Sequence, residues 1–221
     1  MENFLNQFLA FPLEEIPFVV VVLLIAFTLH EFSHAYVAHK FGDHTAKDQG
    51  RVTLNPINHL DPLGTLLLLI AGFGWARPVP VNRNNFKRPR LAGVLVSFAG
   101  PFSNLLLATV GFIIWHSLVA SGLSTNLPVY VYTFIHLFIQ LNIVLFVFNL
   151  LPFPPLDGYR IIQDLAPANV RAKLTQYDSY GALIFLILVI TPLSIYTIQP
   201  IFQVVLPLVT NTLNDIISTL F

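Results

Sequence analysis

The chain has 221 residues, 55% of them hydrophobic and 10% charged, with a formal net charge of zero and no cysteine. Soluble domains carry about 25% charged residues, so this composition and a mean hydropathy of +0.73 exclude an ordinary soluble fold and predict a polytopic membrane protein. Zero net charge gives no footprint for a nucleic-acid partner, and the missing cysteines exclude disulfides and thiolate ligands, leaving His, Asp and Glu as the strong metal donors.

Residues 1–16 are acidic and moderately apolar, with Pro12 and Pro17 framing Glu14 and Glu15, and are expected at a membrane interface. They lack the basic start of a cleaved signal peptide, so the first span is expected to insert as itself. That span covers about 18–39 and carries His30-Glu31-Phe-Ser-His34 inside an otherwise apolar helix. Side chains four apart lie on one helix face, so His30 and His34 can grip one ion together, with Glu31 beside them as a carboxylate able to take a proton from a water on that ion. Five such residues also occur by chance on solvated helix faces. Here the upstream run Phe18-Val-Val-Val-Val-Leu-Leu-Ile-Ala-Phe27 puts them at membrane depth, where ionisable groups are costly and functional by default.

The stretch 41–60 is polar and turn-rich, and the alternation Gly50-Arg-Val-Thr-Leu54 predicts a short strand before an Asn55-Pro56 turn. Residues 63–73 are apolar but too few to cross, since a full crossing needs about 20, and are expected to dip in and return as a re-entrant segment. In Trp75-Ala-Arg-Pro-Val-Pro-Val-Asn82 the alternate prolines predict an extended edge segment, expected to pair with 51–54 as a small β element. A long span over 91–118, a polar turn at 120–128 and a further span over 129–151 follow. Beyond Asp157-Gly158 and a loop with Arg160, Arg171 and Lys173, another apolar run covers 181–198, then a weak last segment, 201–221. The fold class expected is an all-α helical bundle in the membrane. It forms a single membrane-embedded domain over 1–221, with a core at about 18–160 and accessory helices at about 180–221.

Every Lys and Arg lies between Lys40 and Arg90 or between Arg160 and Lys173. The positive-inside rule therefore makes loops 40–90 and 160–173 cytoplasmic, and the turn at 120–128 faces outward.

Catalytic zinc generally takes three protein ligands and keeps a fourth position for water, so a third donor is needed. The span over 129–151 returns to the cytoplasmic side and brings Asp157 to the membrane face where the His30/His34 helix ends. Pro152, Pro154 and Pro155 prevent a regular helix and free the backbone to aim that carboxylate inward. The plainer alternative is an Asp-Gly surface turn. In the middle span Gly93, Ser97, Gly100, Asn104, Ala108 and Gly111 form a narrow small-residue face that lets helices approach closely. Asn104, its one strongly polar member, is placed either to hydrogen-bond a substrate carbonyl or to tie two helices together.

His30-Glu31-x-x-His34, Ala99-Gly100-Pro101-x-x-Asn104 and Asn149-Leu-Leu-Pro152-Phe-Pro-Pro-Leu-Asp157-Gly158 together resemble the site-2 protease family of intramembrane zinc metalloproteases, across about 18–160. The resemblance implies one zinc ion held by His30, His34 and Asp157, Glu31 as catalytic acid/base, and transmembrane helices of other proteins as substrates. It also implies that Asn104 and Asn149 lie on the substrate-facing side. The chain shows neither the PDZ insertion nor the CBS domain of larger members, so it resembles a minimal branch, expected in the cytoplasmic membrane of a prokaryote. No pattern fixes an oligomeric state. Two other classes remain as alternatives. A metal-ion transporter would need a ladder of donors continuing outward through the spans, which is lacking, and a non-proteolytic client-binding protein would have no use for Glu31.

Overall fold

The computed structural model describes residues 10–71 and 74–221, and among these the fold is all-helical. Ten α-helices follow in order: α1 (Ile16–Lys40), α2 (Thr45–Asp48), α3 (Pro62–Ala71), α4 (Pro89–Ala120), α5 (Val129–Asn149), α6 (Asp157–Leu165), α7 (Ala168–Tyr177), α8 (Gly181–Ile190), α9 (Leu193–Thr197) and α10 (Gln199–Ser218). Four of them, α1, α4, α5 and α10, are long and apolar enough to cross a membrane, which points to an integral membrane protein. Part of the interfacial segment expected over 1–16 lies outside the described residues. Its end is tied down where the Ala10 amide donates to the Leu69 carbonyl.

The core is three helices deep. Helix α1 starts with Pro17 in its first turn, where the missing amide costs nothing, and stops with His39 and Lys40 against its C-terminal dipole. It buries Val19, Val22, Leu23, Ala26 and Phe27 against Leu137, Leu141 and Leu145 of α5. One turn deeper, the same face presents His30, Glu31 and His34. Helix α4 lies across both with the expected small-residue face, Gly93, Ser97, Gly100, Asn104, Ala108 and Gly111, all buried. In lipid such contact is favoured by close packing and hydrogen bonds rather than by release of water. A second cluster, Ala108, Phe112, Ile143, Val147 and Ile217, packs α10 onto α4 and α5.

Two expectations are corrected. The β element is not formed: among the described residues 51–54 is bend and loop, and 74–82 is loop that joins no strand. Pro78 and Pro80 have no N–H to give a ladder, and the amide between them, that of Val79, donates to the Glu31 carboxylate at 3.0 Å. What joins the two segments is a side chain, Arg51, whose guanidinium donates to the carbonyls of Arg77 and Pro78 at 2.6 and 3.2 Å. Nor is the re-entrant segment supported. Residues 62–71 are an α-helix, and the end of the expected dip, 72–73, lies outside the described residues. A Cβ on Gly64 would meet the Trp75 backbone, so the chain comes back beside the start of α3.

The last helices also differ from expectation. The apolar run 181–198 is broken at Thr191, which is extended (φ −99°, ψ 163°) ahead of Pro192, as the residue before a proline is pushed out of the helical region. The weak segment is the one that makes a crossing-length helix, α10, despite Pro207 inside it.

Candidate metal centre

His30 and His34 sit one turn apart on α1, with Nε2 atoms 3.0 Å from each other. Each of those nitrogens is 3.2 Å from Oδ2 of Asp157. Asp157 is the first residue of α6, so its carboxylate sits at the positive end of a helix dipole. The close approach depends on Gly158, where a Cβ would collide with the carbonyls of Leu150 and Leu151. This lets α6 start hard against the end of α5.

The other ring nitrogens are committed elsewhere. His30 Nδ1–H donates to Asn104 Oδ1 at 2.7 Å, and His34 Nδ1–H to the Val96 carbonyl at 2.6 Å, both acceptors being on α4. In neutral rings so engaged, both Nε2 atoms present bare lone pairs to the same point as a carboxylate oxygen. Three electron-rich atoms converging in a buried place repel one another unless a cation lies between them. Tetrahedral bonds of about 2.0–2.1 Å would set such donors about 3.3 Å apart, close to what is observed, so the residues fit zinc. A Cβ on Gly100 would fall on His34 Nε2 and come within 2.6 Å of His30 Nε2. Only glycine leaves this space open.

Glu31, 8% exposed, lies beside the triad with Oε2 held by the Val79 amide. His30, Glu31, His34 and Asp157 line a cavity of about 730 Å³. Its walls are apolar at Phe27, Leu145, Phe148 and Phe185 and polar at Arg83, Arg160 and Gln163.

A model of peptidase family M50 matches residues 120–192, which include Asp157 and Asn149. The chain is 59% identical over 202 residues to "Putative zinc metalloprotease YwhC" of Bacillus subtilis, covering 89% of this chain and 90% of that one. It is also 31% identical over 189 residues to "Putative zinc metalloprotease Rip2" of Mycolicibacterium smegmatis and 33% over 183 residues to its Mycobacterium tuberculosis namesake, in both cases covering 79% of this chain and 68% of the other. No solved structure matches. The chain belongs to peptidase family M50, the site-2 protease family.

Membership of M50 and the names of these relatives indicate a zinc metalloprotease, and they give the His30, His34 and Asp157 cluster its chemical context. The structure brings those three together with Glu31 and separates the two asparagines. Asn149 lines the cavity, its amide nitrogen donating to the Leu145 carbonyl. Asn104 is fully enclosed behind His30, and its amide nitrogen donates to Asn142 Oδ1 at 3.1 Å and to the Ala26 carbonyl at 3.4 Å. Asn142, wholly buried, in turn donates to the Phe138 carbonyl at 2.8 Å. Sequence reasoning passed over Asn142, although a carboxamide within an apolar span was the signal that could have found it. The steric roles of Gly100 and Gly158 were likewise passed over.

A buried latch holds the far end of α6. Asp164, 1% exposed, pairs with Arg83 at 2.9 Å and with Arg171 at 3.5 Å. Gly93 of α4 again leaves the room, since a Cβ there would strike the Asp164 carboxylate. Burial pushes the Asp164 carboxyl above the usual carboxylate range, and the Arg83, Arg171 and Arg160 charges work against that rise.

Proposed function

We propose that this chain is a zinc endopeptidase that hydrolyses peptide bonds within, or at the edge of, transmembrane helices of other proteins. His30, His34 and Asp157 are the ligands in this reading and Glu31 is the catalytic acid/base. The observation that carries it is the triangle of two Nε2 atoms and one Oδ2 with sides of 3.0–3.2 Å, set beside a buried carboxylate. Zinc bound there supplies a Lewis acid that activates water and polarises the scissile carbonyl.

The chain's own residues do the rest. Val79 holds Oε2 of Glu31, which leaves Oε1 to take a proton from the attacking water and return it to the departing amine nitrogen. Asn104 acts behind the ligands, fixing the tautomer and tilt of His30, while Asn149 faces the substrate in the cavity. The apolar walls exclude bulk water and suit a segment drawn from a membrane helix, unwound so that its carbonyl is open to attack. The whole of 1–221 acts as one membrane-embedded domain, with a core at about 18–160. Loops 40–90 and 160–173 face the cytoplasm, as their Lys and Arg residues favour.

The test compares Glu31→Gln, His34→Ala and Asp157→Ala for zinc content and for cleavage of a membrane-inserted model peptide. Glu31→Gln keeps near-normal zinc and loses cleavage, whereas the ligand variants lose both. Equal zinc loss in all three, or undiminished cleavage by Glu31→Gln, overturns the assignment.

A further inference from the structure

Arg51 is a buried cation for which the reaction outlined above has no use. It is 5% exposed, lies in the loop after α2, and comes from neither the ligand helices nor a crossing segment. Its Nη2 and Nη1 donate to two successive carbonyls, those of Arg77 and Pro78. The Pro78 carbonyl and the Val79 amide belong to one peptide group. That group therefore accepts from a guanidinium at its oxygen, at 3.2 Å, and donates to the Glu31 carboxylate at its nitrogen, at 3.0 Å.

A planar peptide bond between a cation and an anion is polarised from both ends, so each hydrogen bond strengthens the other, and in a site of low dielectric the effect is larger than in water. Arg51 also responds to the far end of this line: burial draws its guanidinium below its usual range and the Glu31 charge pushes back. The neighbourhood holds the arrangement rigid. The Arg77 amide donates to the His59 carbonyl at 2.8 Å, and the fully buried His59 ring bonds the Thr53 carbonyl at 2.7 Å.

We propose that Arg51 is a positioning residue for the reaction, fixing the Pro78–Val79 peptide so that the Val79 amide aims the Glu31 carboxylate. This rests on Glu31 being the acid/base, and the guanidinium itself touches neither substrate nor metal ligand. Arginine suits the task because its flat fork reaches two carbonyls at once, where lysine reaches one.

The experiment measures kcat and KM for a membrane-inserted peptide, with zinc content, in wild type, Glu31→Gln, Arg51→Met, Arg51→Lys, Val79→Pro and the Arg51→Met/Val79→Pro pair. Val79→Pro deletes the amide hydrogen and leaves Arg51 in place. Arg51→Met lowers kcat by about tenfold to a hundredfold, as expected for a misaimed acid/base, with KM within about twofold of wild type and zinc retained. Arg51→Lys recovers part of the loss. The double variant loses less than about threefold beyond the worse single one, because both act through one peptide. A loss confined to KM, losses that multiply, or Arg51→Lys and Arg51→Met both at wild-type kcat overturn the proposal. If Arg51→Met does not fold, as lost zinc would report, Arg51→Lys and Val79→Pro decide. Wild-type cleavage by Glu31→Gln in the same assay defeats the acid/base reading itself, so the two failures are distinguishable.

Discussion

The Nδ1–H of His30 donates to Oδ1 of Asn104 at 2.7 Å, across a pair of residues 74 positions apart. That bond sets which ring nitrogen faces Asp157 and how the ring is turned. Replacing Asn104 by Leu should weaken zinc affinity by about tenfold to a hundredfold, the usual cost of losing a partner behind a metal-binding histidine. Asp at 104 keeps an acceptor and should lose less. Competition with a chromogenic chelator measures both, and unchanged affinity in Asn104→Leu counts against a positioning role.

Gly100 makes a sharper case, because it is not a ligand. A methyl group there would clash with both Nε2 atoms. Gly100→Ala should lose zinc as completely as His34→Ala does, while the variant still inserts with its helices formed. Metal analysis of the purified variant, alongside its circular dichroism, tests this; a full complement of zinc would mean that the helices separate readily.

Asp43 supplies a pH dependence. It is fully buried, and its carboxylate accepts from the Thr45 amide and hydroxyl, the Asn82 amide and the Asn85 side chain, tying the turn after α1 to the loop after the extended segment. Burial alone would raise its pKa, but these hydrogen bonds outweigh burial and hold it below the ordinary value. The unfolded carboxyl titrates near about 4 and the folded one lower, so the stabilisation is complete above that value and is lost as pH falls through the folded pKa. Amide exchange at Asn82, corrected for intrinsic rate, should show protection falling away under acid in the wild type. In Asp43→Asn it should be weak and level across the same range.

Orientation is testable because the chain has no cysteine. Single cysteines at Thr125 and at Asn84, both exposed, should react with an impermeant maleimide from opposite sides of the membrane. Labelling from one side would refute the placement of loop 40–90 in the cytoplasm.

Much of this was readable in the chain. The period of four in His30 and His34 put both on one face, and the Lys and Arg distribution brought Asp157 to the same side before any contact was known. The long spans were legible because an apolar run at crossing length has few other fates. Short-range chemistry was less so. Pairing of 51–54 with 75–82 was expected from alternation alone, yet the Val79 amide, the donor between two prolines, was claimed by a carboxylate distant in sequence. Gly100 and Gly158 look like ordinary small residues until the helices they admit are seen touching. The break at Thr191 was written in Thr-Pro, and went unread because the flanking residues are uniformly apolar.

The proposed metal donors come from the two ends of this arrangement, His30 and His34 on the first crossing-length helix among the described residues and Asp157 beyond the third. A chain made from its N-terminus therefore commits α1 to the bilayer, with two imidazoles and a carboxylate on board, while the residue that completes the set is still unsynthesised. The supporting Asn104 arrives in between, on α4. On the proposed assignment the donor set is complete only once α6 has been made and has packed against α4, and a chain ending before Asp157 lacks one of its three members.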